Sequence, residues 1–528
     1  MTRTVVIGGG VAGLATAALL GREGHDVTVL ERNDRVGGRA GVLERDGFRF
    51  DTGPSWYLMP RVYEHFYNLL GTSAHEQLDL RMLDPGYQVF SEPNGSGAAS
   101  VLTVEHGAQR ACEAFEGLEP GAGAALREYL ASAARIAGLA EQRFLYNPFT
   151  NPLSFVGGDV LGSLPTLATL LRAPLDRHVA KRFNHPLLRQ VLGYPAVFLG
   201  TDPGRAPALY HLMSSMDLDD GVRYPMGGFW GFITGLRGLA EEAGAKMVTR
   251  ADVTSIQTAP GRRRRVVTGV HWRSRDGRTH RSDADLIVSA ADLHHTETSL
   301  LNAGEQTYPE SWWRKRESGP GAVIALLGVE GQVPELGHHS LFFTKDWDAN
   351  FHAIFGDSPR IPDPASLYVC KPSATEPDVA PPGHENLFVL IPVPAEPGLG
   401  AGGPDGTGDG PIERATDAAV DQIARWANVP DLAERVVVRH TLGPGDFVRD
   451  YHSWRGGMLG PSHILRQSAM FRAQNQSKRV DGLYYAGATT APGVGVPMCL
   501  ISAELVLKRI RGDRSAGPTT PATGASAP

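Results

Sequence analysis

Four residues near the N-terminus have the types and spacing of a nucleotide site. Gly8, Gly10 and Gly13 follow a short apolar stretch at residues 4–7, and Glu31 comes eighteen residues after Gly13, ending a second apolar stretch. Gly8 suits a tight turn, Gly10 lets backbone amides approach a pyrophosphate, and Gly13 lets the following helix pack closely on the strand. The helix N-terminus adds donors for the phosphates. Because Glu31 is placed to accept hydrogen bonds from the adenosine ribose, the sequence predicts a dinucleotide site on a strand–helix–strand unit.

A second glycine turn follows and narrows the choice of dinucleotide. Arg32 comes directly after the ribose acid, and Gly38 lets the backbone run close under a bound cofactor. Arg39 is placed to bring a charge near the pyrophosphate, while Asp51 and Gly53 return the chain to the same region. A nicotinamide enzyme needs no such turn after its second strand. The arrangement resembles that of FAD-dependent amine oxidases, desaturases and related flavoproteins.

A segment near the C-terminus carries the same signature. Residues 482–497 combine a short apolar strand with closely spaced glycines that include Gly487 and Gly495, and an apolar helix pattern follows Val496. Strand, glycine turn and helix N-terminus place backbone amides where they can face an anion or a flavin ring. In the resembling family this segment closes over the flavin, and the backbone at Val253 is expected to meet the adenine.

Together these motifs resemble the bacterial phytoene desaturase family. The segments that carry the resemblance are residues 50–54, 224–228, 338–343, 388–393 and 491–497, and it extends from residue 3 to about residue 511. One departure is Thr-Glu-Pro at 375–377, where family members often have Thr-Asp-Pro. The resemblance implies noncovalently bound FAD, a hydrophobic polyene substrate, and oxygen or a quinone as electron acceptor.

We predict an α/β fold: a discontinuous Rossmann-type FAD-binding domain with a second, α+β substrate-binding domain. The length of 528 residues exceeds that of one compact core. The FAD-binding domain is expected at residues 1–75, 221–310 and 471–511, the substrate domain at 76–220 and 311–470, and a disordered tail at 512–528. Aromatic residues beside the FAD motifs are candidates for lining an apolar substrate tunnel: Trp56, Tyr57, Phe66, Tyr67, Phe229, Trp230 and Phe232.

The chemistry implied is that of an FAD-dependent carotenoid desaturase, which would convert phytoene through successive dehydrogenations towards lycopene. One hydrogen leaves as hydride to flavin N5 and the other as a proton. Asp217 and Asp219, near the domain crossover, are candidate proton acceptors, although acidic residues before a glycine equally suit a solvated loop. A carotenoid isomerase or ketolase, an FAD amine oxidase, and a non-enzymatic prenyl-binding protein are the alternatives for this scaffold.

Composition sets limits on partners and location. A net charge of −6 gives no reason to expect nucleic acid. The three cysteines are widely separated, which predicts neither a disulfide framework nor a metal site. The apolar, Gly- and Pro-broken segment at 144–182 ends in a basic stretch, a pattern that suits a surface at a lipid interface and equally an ordinary helical subdomain with an apolar core. We therefore expect a cytoplasmic protein whose membrane contact, where there is one, is peripheral and at the inner face of the cell membrane.

Overall fold

A computed structural model describes residues 1–95, 98–150 and 158–521 of the chain. The strands, in chain order, are β1 (Arg3–Ile7), β2 (Asp26–Leu30), β3 (Val42–Arg45), β4 (Phe48–Asp51), β5 (Leu80–Met82), β6 (Tyr87–Ser91), β7 (Ser100–Val104), β8 (Arg223–Pro225), β9 (Lys246–Val248), β10 (Ala251–Pro260), β11 (Arg265–Ser274), β12 (Thr279–Asp283), β13 (Leu286–Ser289), β14 (Gly321–Glu330), β15 (His339–Phe343), β16 (Leu367–Cys370), β17 (His384–Val393), β18 (Val436–Leu442), β19 (Val480–Asp481) and β20 (Leu483–Tyr485).

The helices are α1 (Val11–Arg22), α2 (Pro60–Leu69), α3 (Ala74–Gln77), α4 (Ala108–Leu118), α5 (Ala122–Ala140), α6 (Gly158–Arg172), α7 (Leu175–Ala180), α8 (Pro186–Gly193), α9 (Pro195–Phe198), α10 (Ser214–Leu218), α11 (Gly228–Glu242), α12 (Leu293–Ser299), α13 (Glu310–Trp313), α14 (Trp347–Phe355), α15 (Gly410–Trp426), α16 (Pro444–Tyr451) and α17 (Val496–Arg511). Helices and strands alternate in part of the chain, and the fold is mixed α/β.

A parallel sheet carries the N-terminal glycine motif. Its strand order is β20-β13-β1-β2-β9, and every neighbouring pair is parallel. Strands covered on both faces read as continuous apolar runs, as β1 does. Helix α1 is buried along almost its whole length because α11 and α17 pack against it. All five strands come from segments 1–75, 221–310 and 471–511.

A seven-stranded sheet forms the second layer. Its order is β18-β14-β17-β16-β15-β6-β7, antiparallel except for the β15–β6 pair. Side chains alternate between its two faces. Phe342 packs under α15, while its neighbours Leu341 and Phe343 point to the opposite face, towards the cavity described below. These strands come from segments 76–220 and 311–470, so each sheet is assembled from chain pieces that are distant in sequence.

Two predictions concern the chain surface. Within 144–182, residues 151–157 lie outside the described residues, and α6 and α7 follow them. None of the helices in the described ranges combines the length and the apolar character needed to cross a bilayer. Within the predicted disordered tail, the carbonyl groups of Ser515 and Gly517 accept hydrogen bonds from Lys508 Nζ at 2.7 and 2.6 Å, and the disorder of the tail stays a prediction. The rest of the tail, 522–528, lies outside the described residues.

Candidate active site

A cavity of about 1090 Å³ runs from the carboxyl edge of the parallel sheet across the face of the seven-stranded sheet. Eleven of the thirteen residues predicted to bind the cofactor line it: Gly8, Gly10, Glu31, Arg32, Gly38, Arg39, Gly53, Val253, Gly487, Gly495 and Val496. Gly13 and Asp51 are not among the lining residues. The fold therefore brings together segments from the N-terminus, the middle and the C-terminus at one end of one cavity, which we call the nucleotide end.

The two N-terminal glycine turns pack against each other. Gly8 has a φ of 96°, which favours glycine, and the amide of Gly37 donates to the carbonyl of Gly9 at 2.8 Å. A Cβ at Gly13 would overlap the carbonyl oxygen of Gly8. Gly13 thus serves helix–strand packing, the task its position in the motif predicts, and the close packing leaves Gly10 facing the cavity.

Glu31 is buried at the end of β2 and lines the nucleotide end. Its two carboxylate oxygens accept hydrogen bonds from the amides of Gly9 at 2.7 Å and Asn33 at 2.8 Å. Burial raises the pKa of Glu31, and these two backbone donors oppose that rise. The carboxylate therefore ties the first glycine turn to the chain after β2 and keeps free lone pairs for a further donor.

Two arginines give the nucleotide end positive charge. Arg32 donates to the Arg449 carbonyl at 2.9 Å and contacts His452 Nε2 at 2.8 Å. Arg39 donates from Nη2 to Ser453 Oγ at 2.9 Å, whereas its buried Nε has no hydrogen-bond partner within the described residues. A half-buried guanidinium whose buried Nε is an unused donor beside a glycine-lined cavity suits an anionic ligand.

Asp51 has a different task from the one predicted. Its carboxylate accepts hydrogen bonds from the amides of Phe229 at 2.6 Å and Trp230 at 3.2 Å, which are free donors in the first turn of α11. Burial raises the pKa of Asp51 to about 7, and the two amides oppose this. Asp51 holds the N-terminus of α11 against the β3–β4 hairpin, because the free amide donors at the start of a helix attract a carboxylate.

The remainder of the cavity is lined mostly by apolar side chains, and we call it the apolar end. The side chains come from both the helices and the seven-stranded sheet and include Trp56, Val197, Phe198, Leu212, Ile324, Leu341, Phe343, Phe351, Phe388 and Leu390. Of the seven aromatic residues predicted to line a tunnel, only Trp56 does so. The other six pack around the parallel sheet with α1, since large aromatic side chains fill a core as readily as they line a cavity.

The two predicted proton acceptors differ in placement. Asp217 is buried and does not line the cavity; its Oδ2 accepts hydrogen bonds from the hydroxyls of Tyr87 at 3.1 Å and Tyr194 at 3.0 Å. Asp219 lines the cavity but is exposed. Burial raises the pKa of Asp217 to about 7, with the two tyrosine hydroxyls opposing the rise. Neither residue is a buried carboxylate facing the apolar end.

Asp217→Asn should flatten the pH dependence of folding stability. The folded protein holds a proton on Asp217 up to its pKa of about 7, whereas the unfolded chain loses that proton near the ordinary aspartate pKa of 3.8. Protonation of Asp217 therefore contributes to the free energy of unfolding. This contribution is fully present below the pKa of the unfolded state, is lost as the pH rises through the pKa of the folded state, and is at most roughly 4 kcal/mol. Asparagine accepts the same two hydrogen bonds and does not titrate. Thermal unfolding followed from about pH 4 to 8 should show the wild type losing stability relative to the variant; parallel curves would contradict this.

A polar cluster behind the cavity wall was not predicted. His338, His339 and Cys370 place potential ligand atoms within 4.8 Å of one another, because β15 and β16 pair His339 with Cys370. This spread exceeds the separation of about 3.5 Å that donors sharing a zinc ion would have. Instead, the hydroxyl of Tyr368 links the cluster to the cavity wall. It makes hydrogen bonds with Ser55 Oγ at 2.6 Å and with His339 Nδ1 at 2.8 Å. The cluster backs Trp56, whose ring stacks on His339 with centroids 4.7 Å apart.

A histidine on the cavity wall was also missed. His463 lies in an irregular segment without helical or strand periodicity, so only the fold reveals that it lines the cavity. It is buried, and its Nδ1 donates to the carbonyl of Leu199 at 2.9 Å. Burial and the charge of Arg472 hold the pKa of His463 well below its usual range, so the ring is neutral.

Comparison with known proteins agrees with this geometry. Residues 11–510 match the family described as flavin containing amine oxidoreductase. A carotenoid 3,4-desaturase of Haloarcula japonica is 40% identical over 94% of this chain and 96% of its own length. A zeta-carotene-forming phytoene desaturase of Myxococcus xanthus is 33% identical over 96% of this chain and 93% of its own. A solved oxidoreductase from Methanosarcina mazei, 17% identical, shares the fold with a TM-score of 0.61 over 96% of this chain and 100% of its own.

The chain belongs to the flavin containing amine oxidoreductase family, and within that family it groups with the carotenoid desaturases. Membership implies a flavin cofactor and makes the protein a flavin-dependent oxidoreductase.

Proposed function

We propose that this protein is an FAD-dependent carotenoid desaturase that acts on phytoene and carries it by successive dehydrogenations towards lycopene. The observation that carries the proposal is one continuous cavity, with glycines and arginines at one end and apolar side chains along the other. A carotenoid hydrocarbon offers no polar group for recognition, so its binding site must be apolar and must match the shape of the polyene. The phytoene desaturase of Myxococcus xanthus, 33% identical, supports the substrate class.

FAD fits the nucleotide end. In the proposal the parallel sheet is a Rossmann-type, discontinuous FAD-binding domain, and the layer built on the seven-stranded sheet is the α+β substrate domain. Glu31 would hold the ribose, Gly10 and the buried unpaired Nε of Arg39 the pyrophosphate, and Val253 the adenine. Gly487, Gly495 and Val496 would contact the flavin. FAD is held noncovalently and, when bound, supplies the hydride acceptor.

The apolar end has two tasks in this proposal. It orients two adjacent saturated carbons beside the hydride acceptor, and it keeps water away from the positive charge that develops on the polyene. Ile324, Leu341 and Phe388 project from the seven-stranded sheet and form one wall of this part of the cavity. Oxygen or a quinone would reoxidise the flavin.

The mouth of the cavity is apolar and faces solvent. Leu465, Met470 and Phe471 line the cavity and are 42, 46 and 57% exposed. Large apolar side chains so exposed around an opening suit a lipid surface, from which a polyene enters without crossing water. We therefore propose peripheral contact with the inner face of the cell membrane through this mouth, in addition to any contact from segment 144–182.

Replacing Leu465, Met470 and Phe471 together by serine should lower the partition onto lipid vesicles by about tenfold or more. The reason is that three apolar side chains, exposed in the free protein and buried in lipid on binding, are lost from the interface. Cosedimentation with vesicles measures the bound fraction. A matched control replaces Val101 and Val437 by serine, since these residues are 46 and 52% exposed on the two edge strands of the seven-stranded sheet. Equal binding of both variants would contradict a membrane contact at the mouth.

A second candidate reaction is 3,4-desaturation of a carotenoid that is already conjugated. The Haloarcula japonica carotenoid 3,4-desaturase, 40% identical, favours it. The two candidates separate in one experiment: FAD-loaded protein is supplied with phytoene or with lycopene in vesicles, and the products are identified by mass and absorption. Products lighter by pairs of hydrogens from phytoene support the first candidate, and such products from lycopene alone support the second. No product from either substrate would refute both.

A further inference from the structure

We propose that His463 is the residue that accepts the proton lost by the substrate. The inference rests on the proposed desaturation and assigns the acceptor that the aspartates near residue 217 do not provide. His463 lines the cavity and belongs to a segment from which no catalytic role was predicted.

The hydrogen bond of His463 fixes its tautomer. A carbonyl oxygen only accepts, so the Nδ1 that lies 2.9 Å from the Leu199 carbonyl carries the ring proton. The other nitrogen, Nε2, then has a free lone pair. With the ring held by Leu199, this lone pair has a fixed direction, which is the arrangement of a general base.

The position of Nε2 places it beside the flavin-facing segment. A Cβ at Gly493 would overlap Nε2 of His463, so only a glycine leaves room for the ring there. Three residues next to Gly493 in the chain line the cavity: Pro492, Val494 and Gly495. His463 therefore meets the cavity where the C-terminal segment closes over the site of the flavin.

The carboxylates that line the cavity lie elsewhere. Around the arginines of the nucleotide end are Glu31, Asp252, Asp292 and Asp450. Glu141 pairs with Arg61, and Asp219 and Asp220 are exposed. Ser55 and Tyr368 line the wall, but a neutral hydroxyl is a weaker base than a neutral imidazole. Two other histidines line the cavity, His295 and His452, but they stack on each other beside Arg32 of the nucleotide end. Among the described cavity-lining residues, His463 is therefore the base that lies beside Gly493.

The chemistry balances with a neutral histidine. One substrate carbon would lose its hydrogen as hydride, with the electron pair of the C–H bond, to the oxidised flavin that bound FAD supplies. An allylic cation would then remain on the polyene. The adjacent carbon then gives its proton to Nε2, and the electrons of that C–H bond form the new double bond. Burial together with Arg472 keeps His463 unprotonated before each turnover, and an allylic cation is acidic enough to protonate an imidazole whose pKa is lowered in this way.

The test compares His463→Asn with His211→Asn. The asparagine amide at 463 can still donate to the Leu199 carbonyl but has no atom in place of Nε2. His211 is the matched control: it is buried, its Nδ1 likewise bonds a carbonyl, that of Ala208 at 2.9 Å, and it does not line the cavity. FAD content and binding of a conjugated polyene are measured first and should match the wild type in both variants.

We expect His463→Asn to lower turnover by roughly 100-fold or more, as loss of a general base does. With substrate deuterated at the carbon that loses the proton, the isotope effect should rise above that of the wild type, because proton loss becomes rate-limiting; a merely structural role would not produce this. Gly493→Ala, which displaces the ring, should act in the same direction. Turnover like that of His211→Asn, or an unchanged isotope effect, would overturn the assignment. A wild type that forms no desaturated product would instead refute the proposed function.

Discussion

Glu31→Ala is expected to lower the affinity for FAD by roughly 100-fold, equivalent to a loss of about 2–3 kcal/mol. The carboxylate makes two hydrogen bonds, to the amides of Gly9 and Asn33, and the proposed bond to the ribose is a third. Alanine leaves the two buried amides without partners and loosens the glycine turn that faces the pyrophosphate. Flavin absorbance of the purified protein and titration of the cofactor-free protein with FAD measure the effect.

Two controls make the result specific. Glu31→Gln keeps the shape and one acceptor, so its affinity should fall between the wild type and the alanine variant. Glu44→Ala removes an exposed glutamate of β3 that pairs with Arg35 at 3.3 Å, and should leave FAD binding unchanged. If Glu31→Ala retained FAD as the wild type does, the ribose assignment would be wrong.

Val197→Trp should abolish most carotenoid turnover while the protein keeps its FAD. Val197 lies on α9 beside Phe198 and lines the apolar end, away from the glycines of the nucleotide end. A tryptophan there projects into the space that the polyene needs, and a displacement of about 1 Å at the reacting carbons is enough for a loss of roughly 100-fold. Product formation from vesicle-borne substrate and flavin absorbance are measured on the same preparation.

The matched control is Val437→Trp, a change of the same size at an exposed position on β18. It should leave both turnover and FAD content unchanged. Wild-type turnover by Val197→Trp would show that the substrate does not occupy this part of the cavity. Loss of FAD together with turnover would show that the cavity does not divide into the two ends described here.

The nucleotide end was largely predictable because its signals are local. Gly8, Gly10 and Gly13 sit within one strand–helix turn, where a Cβ would meet backbone, and the sequence spacing alone defines that geometry. Asp51 shows the limit of the same reasoning. Its place in the motif suggests the cofactor, yet its carboxylate accepts hydrogen bonds from the amides at the start of α11, 178 residues later in the chain.

The apolar end was not predictable from residue types. Trp56 and Tyr57 are neighbours in sequence with similar side chains, but alternate chain directions send Trp56 to the cavity and Tyr57 to the core around α1. His463 depends on contacts that no local pattern records: the Leu199 carbonyl, 264 residues away in sequence, holds its ring, and Gly493 makes room for it. Such sites require the fold, since their partners meet only in three dimensions.

The most direct test of the central claim is pigment formation in a host that accumulates colourless phytoene. The chain is expressed there, and the extracted pigments are separated and identified by absorption and mass. We expect coloured products lighter than phytoene by successive pairs of hydrogens, up to red lycopene. Unchanged phytoene in cells that contain the FAD-loaded protein would contradict phytoene as the substrate. If a lycopene-accumulating host also showed no new pigment, the assignment as a carotenoid desaturase would be contradicted as well.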